Sequence, residues 1–358
     1  MGNSNGSFAT VTRIGLDLAK NVFQVHGVDA EGNVVVACKL RRGAVLNFFR
    51  RAPPCLVAME ACGSAHYWGR EITALGHETR LIPAAHVKPY VRRNKTDAAD
   101  AAAICEAAMR PGQRFVPVRS IVNQADLMRH RVREQLVGQR TALLNALRGH
   151  LSEIGVIAPQ GAQHAYELKQ LAESGADGNG EILVCDEVRA ALAPLASQID
   201  AVDKELDAID AELERAAKVD DRARRLMTIP GIGPITATAL AATVVDIRAF
   251  ASGREFAAFL GLTPRQHSSG GKERSGRISK MGDRYLRKLL VVGATSALYR
   301  SGSHKDGLRR WATRLLERKG GFKHAFRLTA VALANKLARL GFAILRSGAV
   351  YDDRPVAA

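Results

Sequence analysis

The sequence predicts an α/β domain followed by a mostly helical region, a fold class of α/β plus α. Three features predict it: short β-rich runs alternate with helical segments up to residue 118, a long heptad pattern follows, and Ala- and Leu-rich helices punctuated by Gly and Pro fill residues 221–347. The chain has 358 residues, 47% of them hydrophobic, so it is long enough for two or three domains with cores of their own.

The β-rich runs begin at Arg13. The segment "RIGLDLAKNVFQVHGVDAEGNVV" holds two apolar runs, a short polar joint and a second turn at residues 29–33, which predicts an antiparallel hairpin. The segment "CLVAMEACGSAHYWGREITALG" predicts a strand that ends at Glu60 and, after a Gly-Ser turn, a helix that begins near His66. A further strand is expected in "TRLIPAAHVKPY" and a helix in "KTDAADAAAICEAAM".

Four acidic residues lie on these elements: Asp17, Glu60, Asp97 and Asp100. Asp17 lies on the first strand and Glu60 at the carboxyl end of another, whereas Asp97 and Asp100 are three residues apart and share one helix face. Thr96 is the expected N-cap of that helix. Strands of one sheet and a neighbouring helix can bring such carboxylates together, and their mutual repulsion favours a bound cation.

Mg²⁺ or Mn²⁺ suits such a site, because Mg²⁺ takes few carboxylates and keeps positions open for water and phosphate oxygens. Two such ions stabilise both the attacking and the leaving oxygen of a phosphodiester displacement. A simpler interpretation exists for Asp97 and Asp100, since acidic side chains in a first helical turn complement the helix dipole. It suits Asp17 less well, because a carboxylate in an apolar strand needs a partner.

The middle of the chain is predicted to be helical. Residues 121–155 read as one long amphipathic helix with a basic outer face, and a polar Gly- and Ala-rich stretch follows to about residue 180. Apolar residues then recur at alternating steps of four and three, in a helix that Pro194 either bends or starts. They are Val188, Leu192, Leu195, Ile199, Val202, Leu206, Ile209 and Leu213. Such a seam is typical of a coiled coil, formed either within one chain or between subunits.

The segment "RRLMTIPGIGPITATALAATV" has the pattern of a helix-hairpin-helix, with a tight turn at residues 230–233 and Pro234 near the start of the second helix. Gly231 and Gly233 let the backbone approach a phosphate, and the second helix offers unpaired amide groups to an anion. The basic flank favours contact with a nucleic-acid backbone, while the alternative is a packing turn between two core helices. The flank contains Arg222, Arg224 and Arg225.

The stretch "HSSGGKERSGRISKMGDRYLRKLL" combines serine, glycine and many cations. Its basic residues are Lys272, Arg274, Arg277, Lys280, Arg284 and Arg287. One interpretation is a solvated basic loop that enters a helix near Gly282. The other is that a serine on this loop attacks a phosphodiester while arginines neutralise the developing charge. The hydroxyl needs an activating base, metal or cationic clamp, and His267 is adjacent in sequence.

Charge and composition narrow the function classes. Lys and Arg number 52 against 35 Asp and Glu, giving a net charge of +17 and a pI near 10.1, so the surface attracts a polyanion such as nucleic acid. No apolar run approaches the ~20 residues that cross a bilayer, and the first residues lack the apolar core of a signal peptide, so we expect a cytoplasmic protein without a membrane partner. The five cysteines show no zinc spacing and are expected to be reduced.

Several of these stretches together resemble one known family. They are "IGLDLAKNVFQVHGVD", "AMEACGSAHYWGREI" and "KTDAADAAAICEA", followed by "SSGGK" and "SGRISKMGDRYLRKLL". They are similar to the DEDD transposases of the insertion-sequence one-hundred-and-ten family, in its one-eleven-eleven branch. The N-terminal part resembles the ribonuclease H-like fold of Holliday-junction resolvases. The resemblance runs from about Arg13 to about Leu345, and only residues 156–180 have no counterpart.

The resemblance implies a transposase or site-specific DNA recombinase that cuts and rejoins the strands of its own insertion sequence. The four acidic residues would be catalytic metal ligands, and a serine that precedes glycine, Ser269, would become covalently linked to the cut strand. Ser268 is the alternative because the serine is doubled, and Ser275 fits less well. The family also implies a structured guide RNA that pairs with donor and target DNA, and subunits that associate through the helical insertion as a dimer or tetramer.

These observations divide the chain into a ribonuclease H-like catalytic domain (11–118), a helical coiled-coil region (119–220), a C-terminal transposase domain with the helix-hairpin-helix and serine loop (221–347), and a tail (348–358). Two alternatives to a transposase stay open. One is a metal-dependent Holliday-junction-type endonuclease in which the acidic residues alone activate water. The other is a non-enzymatic architectural DNA-binding protein. In each case we expect a cytoplasmic, nucleoid-associated protein.

Overall fold

The computed structural model describes residues 8–91, 96–176, 179–266, 275–300 and 306–353. The chain forms two compact units, of which the first ends at Gln124 and the second begins at Ala125. Each unit has its own hydrophobic core.

The first unit is built on a five-stranded sheet. Its strands are β1 (Arg13–Asp17), β2 (Val22–Val28), β3 (Val34–Arg41), β4 (Leu56–Glu60) and β5 (Glu78–Ile82). The order across the sheet is β3-β2-β1-β4-β5; β1 to β3 form an antiparallel meander, while β4 is parallel to both β1 and β5. The predicted hairpin and the predicted strand that ends at Glu60 are both confirmed.

Helices cover both faces of this sheet. They are α1 (Val45–Arg51), α2 (Ala65–Ala74), α3 (Ala84–Val87) and α4 (Asp97–Ala107). Because successive side chains of a strand point to opposite faces, Ile14 and Leu16 pack with Phe49 of α1 and Trp68 of α2. On the other face Ala58 and Ile82 pack with α3 and α4. The sheet is therefore buried on both sides, as an α/β domain requires.

The second unit contains a long helical hairpin. Its helices are α5 (Ile121–Glu153, whose first turn belongs to the first unit), α6 (Ala162–Ser174) and α7 (Asp186–Val219). The predicted helix at 121–155 is confirmed, but the polar Gly- and Ala-rich stretch, for which no helix was predicted, contains α6. Four residues at helical spacing explain the difference, because they are buried against the neighbouring helices despite the polar sequence around them. They are Ala165, Leu168, Leu171 and Ala172.

The heptad seam of α7 packs within the chain. Leu192 and Ile199 are buried in one cluster with Leu147 and Leu151 of α5. The two helices are antiparallel and tied by ion pairs, one between Arg140 and Asp203 at 3.1 Å and one between Arg133 and Asp210. Leu206 and Leu213 are also buried, whereas the alternate seam positions are half-buried. The intramolecular hairpin, one of the two interpretations of the pattern, therefore accounts for the buried half of the seam.

Pro194 lies inside α7 and does not start it. The helix begins eight residues earlier, at Asp186, with Asp186 and Glu187 in its first turn. Those acidic side chains complement the helix dipole and supply the start signal that the proline was expected to give. The interpretation that Pro194 starts the helix is therefore wrong.

The rest of the second unit is mostly helical, as predicted. Its elements are α8 (Asp221–Leu226), α9 (Pro234–Thr243), α10 (Gly253–Phe259), β6 (Pro264–Gln266), β7 (Ser275–Ile278), α11 (Arg284–Tyr299), α12 (Gly307–Arg318) and α13 (Gly321–Ser347). α13 packs against α8, α10, α11 and α12 and so completes the core. By length and composition alone α13 could cross a membrane, but half of its most apolar stretch is buried inside this unit.

Candidate active site and nucleic-acid interface

Asp17 and Glu60 lie at one edge of the central sheet. β1 and β4 are parallel neighbours in a register that pairs Leu16 with Met59, so the next residues, Asp17 and Glu60, end the two strands side by side. Neighbouring strands are about 4.8 Å apart. Both acidic residues share the parity of Gly15 and Ala58, so their side chains lie on the sheet face that α4 covers. Both are half-buried.

α4 lies flat on β1 because Gly15 has no side chain. A Cβ at this position would overlap the carbonyl oxygen of Ala101 and would lie 2.9 Å from Cβ of Cys105. At the other end of the strand, Nη1 of Arg13 lies 3.1 Å from Sδ of Met109. α4 therefore runs antiparallel to β1, and its first turn lies at the carboxyl end of the strand.

The first turn of α4 carries Asp97 and Asp100, which confirms the predicted start of this helix. Thr96 is the N-cap, and its Oγ1 accepts a hydrogen bond from the amide of Ala99 at 3.2 Å. Asp97 is exposed and Asp100 is half-buried. With the strand ends on the same face, all four predicted acidic residues lie at one edge of the sheet.

The four side chains suit a hard cation, because they offer carboxylate oxygens. Within the described parts of the chain, however, no three His, Cys, Asp or Glu side chains are close enough together to hold one metal ion. The structure thus brings the four residues to a common edge without closing them around one point.

Gln24 belongs to the same edge and was not predicted. It is the cross-strand partner of Asp17 on β2, so both side chains lie on the α4 face. Gln24 is only 7% exposed, its Nε2 donates to the carbonyl oxygen of Val25 at 3.4 Å, and its Oε1 has no hydrogen-bond partner among the described residues. A buried amide oxygen beside a carboxylate adds an oxygen donor to the set. The signal available in the sequence was a single polar residue between Phe23 and Val25 in an apolar strand.

The predicted serine loop connects the two strands of a small hairpin. β6 and β7 are antiparallel, with Pro264 opposite Ile278 and Gln266 opposite Ser275. The residues between these strands, 267–274, lie outside the described residues, and they include His267, Ser268, Ser269, Lys272 and Arg274. Ser275, the serine that fits the nucleophile role less well, is the first residue of β7.

Two glycines close the base of this hairpin. Gly261 and Gly282 have φ values of +69° and +77°, and a Cβ on either would overlap a carbonyl oxygen of the opposite segment, that of Met281 or of Phe259. The amide of Ser279 donates to the carbonyl oxygen of Thr263 at 2.8 Å. The strands that carry the serine loop are therefore held together by backbone contacts immediately before α11 begins.

The described cations of this region differ in their surroundings. Arg277, Lys280 and Arg284 are exposed, on β7, at the hairpin base and in the first turn of α11. Arg287 instead donates through Nη1 to the carbonyl oxygens of Leu260 and Met281, at 3.0 and 3.1 Å. The three exposed side chains are accessible to a phosphate backbone. Arg287, in contrast, connects α11 to the base of the β6–β7 hairpin through hydrogen bonds.

A polar network lies where α11 meets the helical hairpin. Nδ1 of His130 on α5 lies 3.1 Å from the hydroxyl of Tyr285 on α11, and His130 is 1% exposed. Burial, with help from Arg133 and Arg129, lowers the pKa of His130 to about 4. Burial also raises the pKa of Tyr285 to about 12, so the pair is neutral near pH 7.

The predicted helix-hairpin-helix segment forms α8, a turn and α9. Gly233 is the exposed N-cap of α9, but Gly231 packs against Gly293 of α11, where a Cβ would lie 2.9 Å from the Gly293 carbonyl oxygen. The flanking arginines are engaged inside the unit: Arg224 and Arg225 pair with Asp221, and Arg222 donates to the carbonyl oxygen of Val244. Gly231 thus has the packing role that was the alternative interpretation, while Gly233 stays open to solvent.

Comparisons with known proteins agree along nearly the whole chain. A DEDD-type transposase family model named for IS110 matches residues 14–156, and the transposase IS116/IS110/IS902 family model matches residues 223–308. The chain is 47% identical to a probable family 20 transposase of Pseudomonas aeruginosa, over 95% of this chain and 98% of that protein. It is 38% identical to the transposase for insertion sequence element IS1328 of Yersinia enterocolitica, over 96% and 99%. It is 37% identical to the transposase for IS1111A of Coxiella burnetii, over 96% and 92%. The chain therefore belongs to the IS110 family of transposases, in its IS1111 branch, and is a DNA transposase enzyme.

Proposed function

We propose that this transposase cuts and rejoins DNA strands at a composite site, made of the acidic sheet edge and of Ser269 in the loop between β6 and β7. One observation carries the proposal: Asp17, Glu60, Asp97 and Asp100 come from three separate elements and lie at the same edge and face of one sheet. The strand order, a three-stranded antiparallel meander extended by two parallel strands, supports assignment of this unit to the ribonuclease H-like fold.

For the four carboxylates to hold Mg²⁺ or Mn²⁺, their side chains would have to turn from the common edge towards one point, with Gln24 as an additional oxygen donor. A divalent ion in such a site supplies stabilisation of negative charge on the oxygens of the reacting phosphate. The residues themselves position that phosphate at the carboxyl ends of β1 and β4. Thr96 keeps the first turn of α4 ordered, and Gly15 keeps α4 close to the sheet.

In the covalent step, Oγ of Ser269 attacks phosphorus and forms an O–P bond while the bond from phosphorus to one deoxyribose oxygen breaks. The proton of the serine hydroxyl passes to solvent or a neighbouring base, and the released deoxyribose oxygen takes up a proton. Rejoining reverses these changes when a deoxyribose hydroxyl of another strand attacks the phosphoserine. The phosphodiester energy is conserved and no water enters the product. Ser268 is the alternative nucleophile.

Cations of the hairpin would neutralise charge on the DNA during this step. Arg277, Lys280 and Arg284 are exposed around the hairpin, and Lys272 and Arg274 belong to the loop itself. Fixed cations near a reacting phosphate stabilise the charge that develops on its oxygens. Gly233, at the open start of α9, would contact the DNA backbone as in a helix-hairpin-helix, and Gly231 would set the turn that presents it.

We also propose that a structured non-coding RNA guides the enzyme. The enzyme would act as a homo-oligomer of two or four subunits, in the cytoplasm and associated with the nucleoid. The net charge of +17 supports an RNA partner as well as DNA. The test is to purify the protein from cells that carry the flanking element DNA and to sequence the RNA that co-purifies. We expect one dominant RNA encoded by the element; only random cellular RNA would contradict the guided mechanism.

A protein–DNA adduct tests the chemistry. On denaturing gels with labelled element-end DNA, we expect the native enzyme to form a covalent adduct and Ser269→Ala to bind the DNA without forming one. Ser275→Ala, in the same hairpin, is the matched control and should form the adduct. Asp17→Asn should abolish the adduct as well.

The outcomes separate the alternatives. Cleavage without any adduct in the native enzyme would favour the hydrolytic endonuclease. An adduct that is lost in Ser268→Ala but kept in Ser269→Ala would move the nucleophile by one residue. Unchanged excision and insertion rates in cells with Asp17→Asn would favour the architectural protein.

A further inference from the structure

Three aromatic rings form an exposed cluster at one end of the helical core of the second unit. Tyr299 ends α11, and Phe322 and Phe326 lie one helical turn apart at the start of α13. The ring centroids are 4.5 Å apart for Phe322 and Phe326, 4.8 Å for Tyr299 and Phe326, and 5.5 Å for Tyr299 and Phe322. These separations are typical of aromatic rings in direct contact.

Only one of the three rings contributes to the core. Phe326 packs against the hydrophobic core, whereas Tyr299 is 64% exposed and Phe322 is 51% exposed. Single exposed apolar residues are common on soluble proteins, but a contiguous group is typical of a binding surface. Phe326 therefore supports two rings that stay largely exposed to solvent.

The surface around these rings is strongly basic. From Glu317 to Arg327 the chain contains four Lys and Arg residues against Glu317 alone. Lys319, Lys323 and Arg327 are exposed next to the rings, and within the described residues their side chains take part in no ion pair. The first turn of α13 likewise has no acidic side chain. The cluster therefore matches a ligand that combines flat apolar rings with repeated negative charge.

We propose that Tyr299 and Phe322 stack on the bases of an unpaired DNA strand, and that Lys319, Lys323 and Arg327 contact its phosphates. The inference rests on DNA as the substrate in the proposed function. Proteins bind single strands by stacking bases on aromatic side chains beside a basic groove, whereas the bases of a duplex have their faces covered by their neighbours. Exchange of strands produces such unpaired DNA.

The position of the cluster suits this role. α11 begins directly after the hairpin that carries the serine loop, and Tyr299 is its last residue. Fifteen residue steps of α-helix span about 22 Å. The ring cluster is therefore joined to the end of this hairpin by a single helix, and an unpaired strand that follows α11 would reach it.

Fluorescence anisotropy with the full-length protein tests the stacking. The probes are a labelled oligothymidylate of about 12 nucleotides and a duplex of the same length. We expect Phe322→Ala to weaken binding of the single strand roughly five- to one-hundred-fold and binding of the duplex by less than about twofold. Phe322→Trp should retain single-strand binding because it keeps a ring face. Leu328→Ala removes a 54% exposed apolar side chain from the same helix and is the matched control, expected to change neither probe.

A charge variant and a cross-link provide independent measurements. Lys323→Ala should lower the slope of log affinity against log salt for the single strand by about 0.7, and Lys204→Ala, an exposed lysine on α7, should leave it unchanged. With 5-iododeoxyuridine in the oligonucleotide, irradiation should cross-link the DNA to Tyr299 or Phe322, as mapped by mass spectrometry.

Three results would overturn the proposal: equal loss of duplex and single-strand binding in Phe322→Ala, cross-links only elsewhere, or a changed oligomeric state in Phe322→Ala with unchanged binding. A preference of more than about tenfold for oligouridylate over oligothymidylate would overturn the assignment to DNA. Failure here is distinct from failure of the serine mechanism, because the adduct assay scores the latter without this surface. An intact adduct with no stacking effect removes only this inference, and stacking without an adduct removes only the serine mechanism.

Discussion

His130 has a polar ring in a core position, and only one of its nitrogens is satisfied. Nδ1 meets the Tyr285 hydroxyl, while Nε2 is buried without a hydrogen-bond partner among the described residues. Charging this ring would bury a cation beside Arg133 and Arg129, which explains why its pKa falls from 6.5 to about 4. The folded chain therefore favours the neutral form of His130.

This shift predicts acid sensitivity of the second unit. Below pH 6.5 His130 becomes protonated in the unfolded chain, whereas in the folded chain it stays neutral until about pH 4. The contribution of His130 to the free energy of unfolding is therefore complete above pH 6.5 and decreases as the pH falls from 6.5 to 4. The expected loss is about 3 kcal/mol. Urea unfolding at several pH values measures it, and His130→Gln, which does not titrate, should flatten the profile between pH 6.5 and 4. His150→Gln, at an exposed position of the same helix, should leave the profile unchanged; an identical profile in His130→Gln would contradict the prediction.

At the scale of single residues, the sequence predicted the position of a residue in the fold only where a local pattern marked it. Asp97, Asp100 and their Thr96 cap follow from a few consecutive letters, and Glu60 from the end of an apolar run. The contact of Gly15 with α4 joins residues more than 80 positions apart, and no local pattern indicates it. Gln24 was missed for the same reason, since its place beside Asp17 depends on the register between β1 and β2.

At the scale of elements, the same limit applies to the short strands. Four of the five strands and α4 were predictable because each has its own apolar run or cap, whereas β3, which follows the turn at residues 29–33, was not predicted. β6 and β7 contain three and four residues, have exposed polar side chains, and form only because the chain returns on itself at Gly261 and Gly282. α6 was missed because its buried stripe lies among polar residues. The elements that carry the four acidic residues were therefore predictable, whereas the hairpin that carries the serine loop was not.

Gly282 lies at the base of the hairpin formed by β6 and β7, and its backbone contact there predicts the effect of an alanine substitution. Alanine there must adopt a φ of +77° and would overlap the carbonyl oxygen of Phe259, so the end of the hairpin and the start of α11 must move apart. We expect Gly282→Ala to lower the free energy of unfolding by about 1–3 kcal/mol and to reduce adduct formation, because Ser269 loses its support. Denaturant unfolding and the denaturing-gel assay measure the two effects.

Gly149→Ala provides the control for this substitution. No atom of the described residues lies within 4 Å of a Cβ at Gly149, and the residue is inside α5, so the free energy of unfolding should rise slightly. A Gly282→Ala protein with native stability and a native yield of adduct would show that the glycine contact does not hold the loop.

At the scale of the whole molecule, the positive charge is unevenly distributed. Residues 221–358 contain 26 Lys and Arg against 9 Asp and Glu, residues 1–124 contain 16 against 9, and residues 125–220 contain 10 against 17. The helical hairpin is therefore acidic, and two of its arginines are paired with α7 carboxylates, Arg133 with Asp210 and Arg140 with Asp203. A polyanion is therefore attracted to residues 221–358 and repelled by the helical hairpin of α5, α6 and α7.

This distribution predicts where a salt-dependent DNA contact is made. Each phosphate contact contributes about 0.9 to the slope of log affinity against log salt for duplex DNA. Arg277→Gln with Arg284→Gln should therefore lower that slope by about 1–2 and weaken binding uniformly across sequences. The matched control removes two exposed cations from the acidic hairpin, Arg131→Gln with Lys204→Gln, and should leave the slope unchanged. Anisotropy titrations of one duplex over a range of salt concentrations measure both slopes. An equal decrease in slope for the two double variants would mean that DNA binding depends on the total charge of the protein and not on the C-terminal surface.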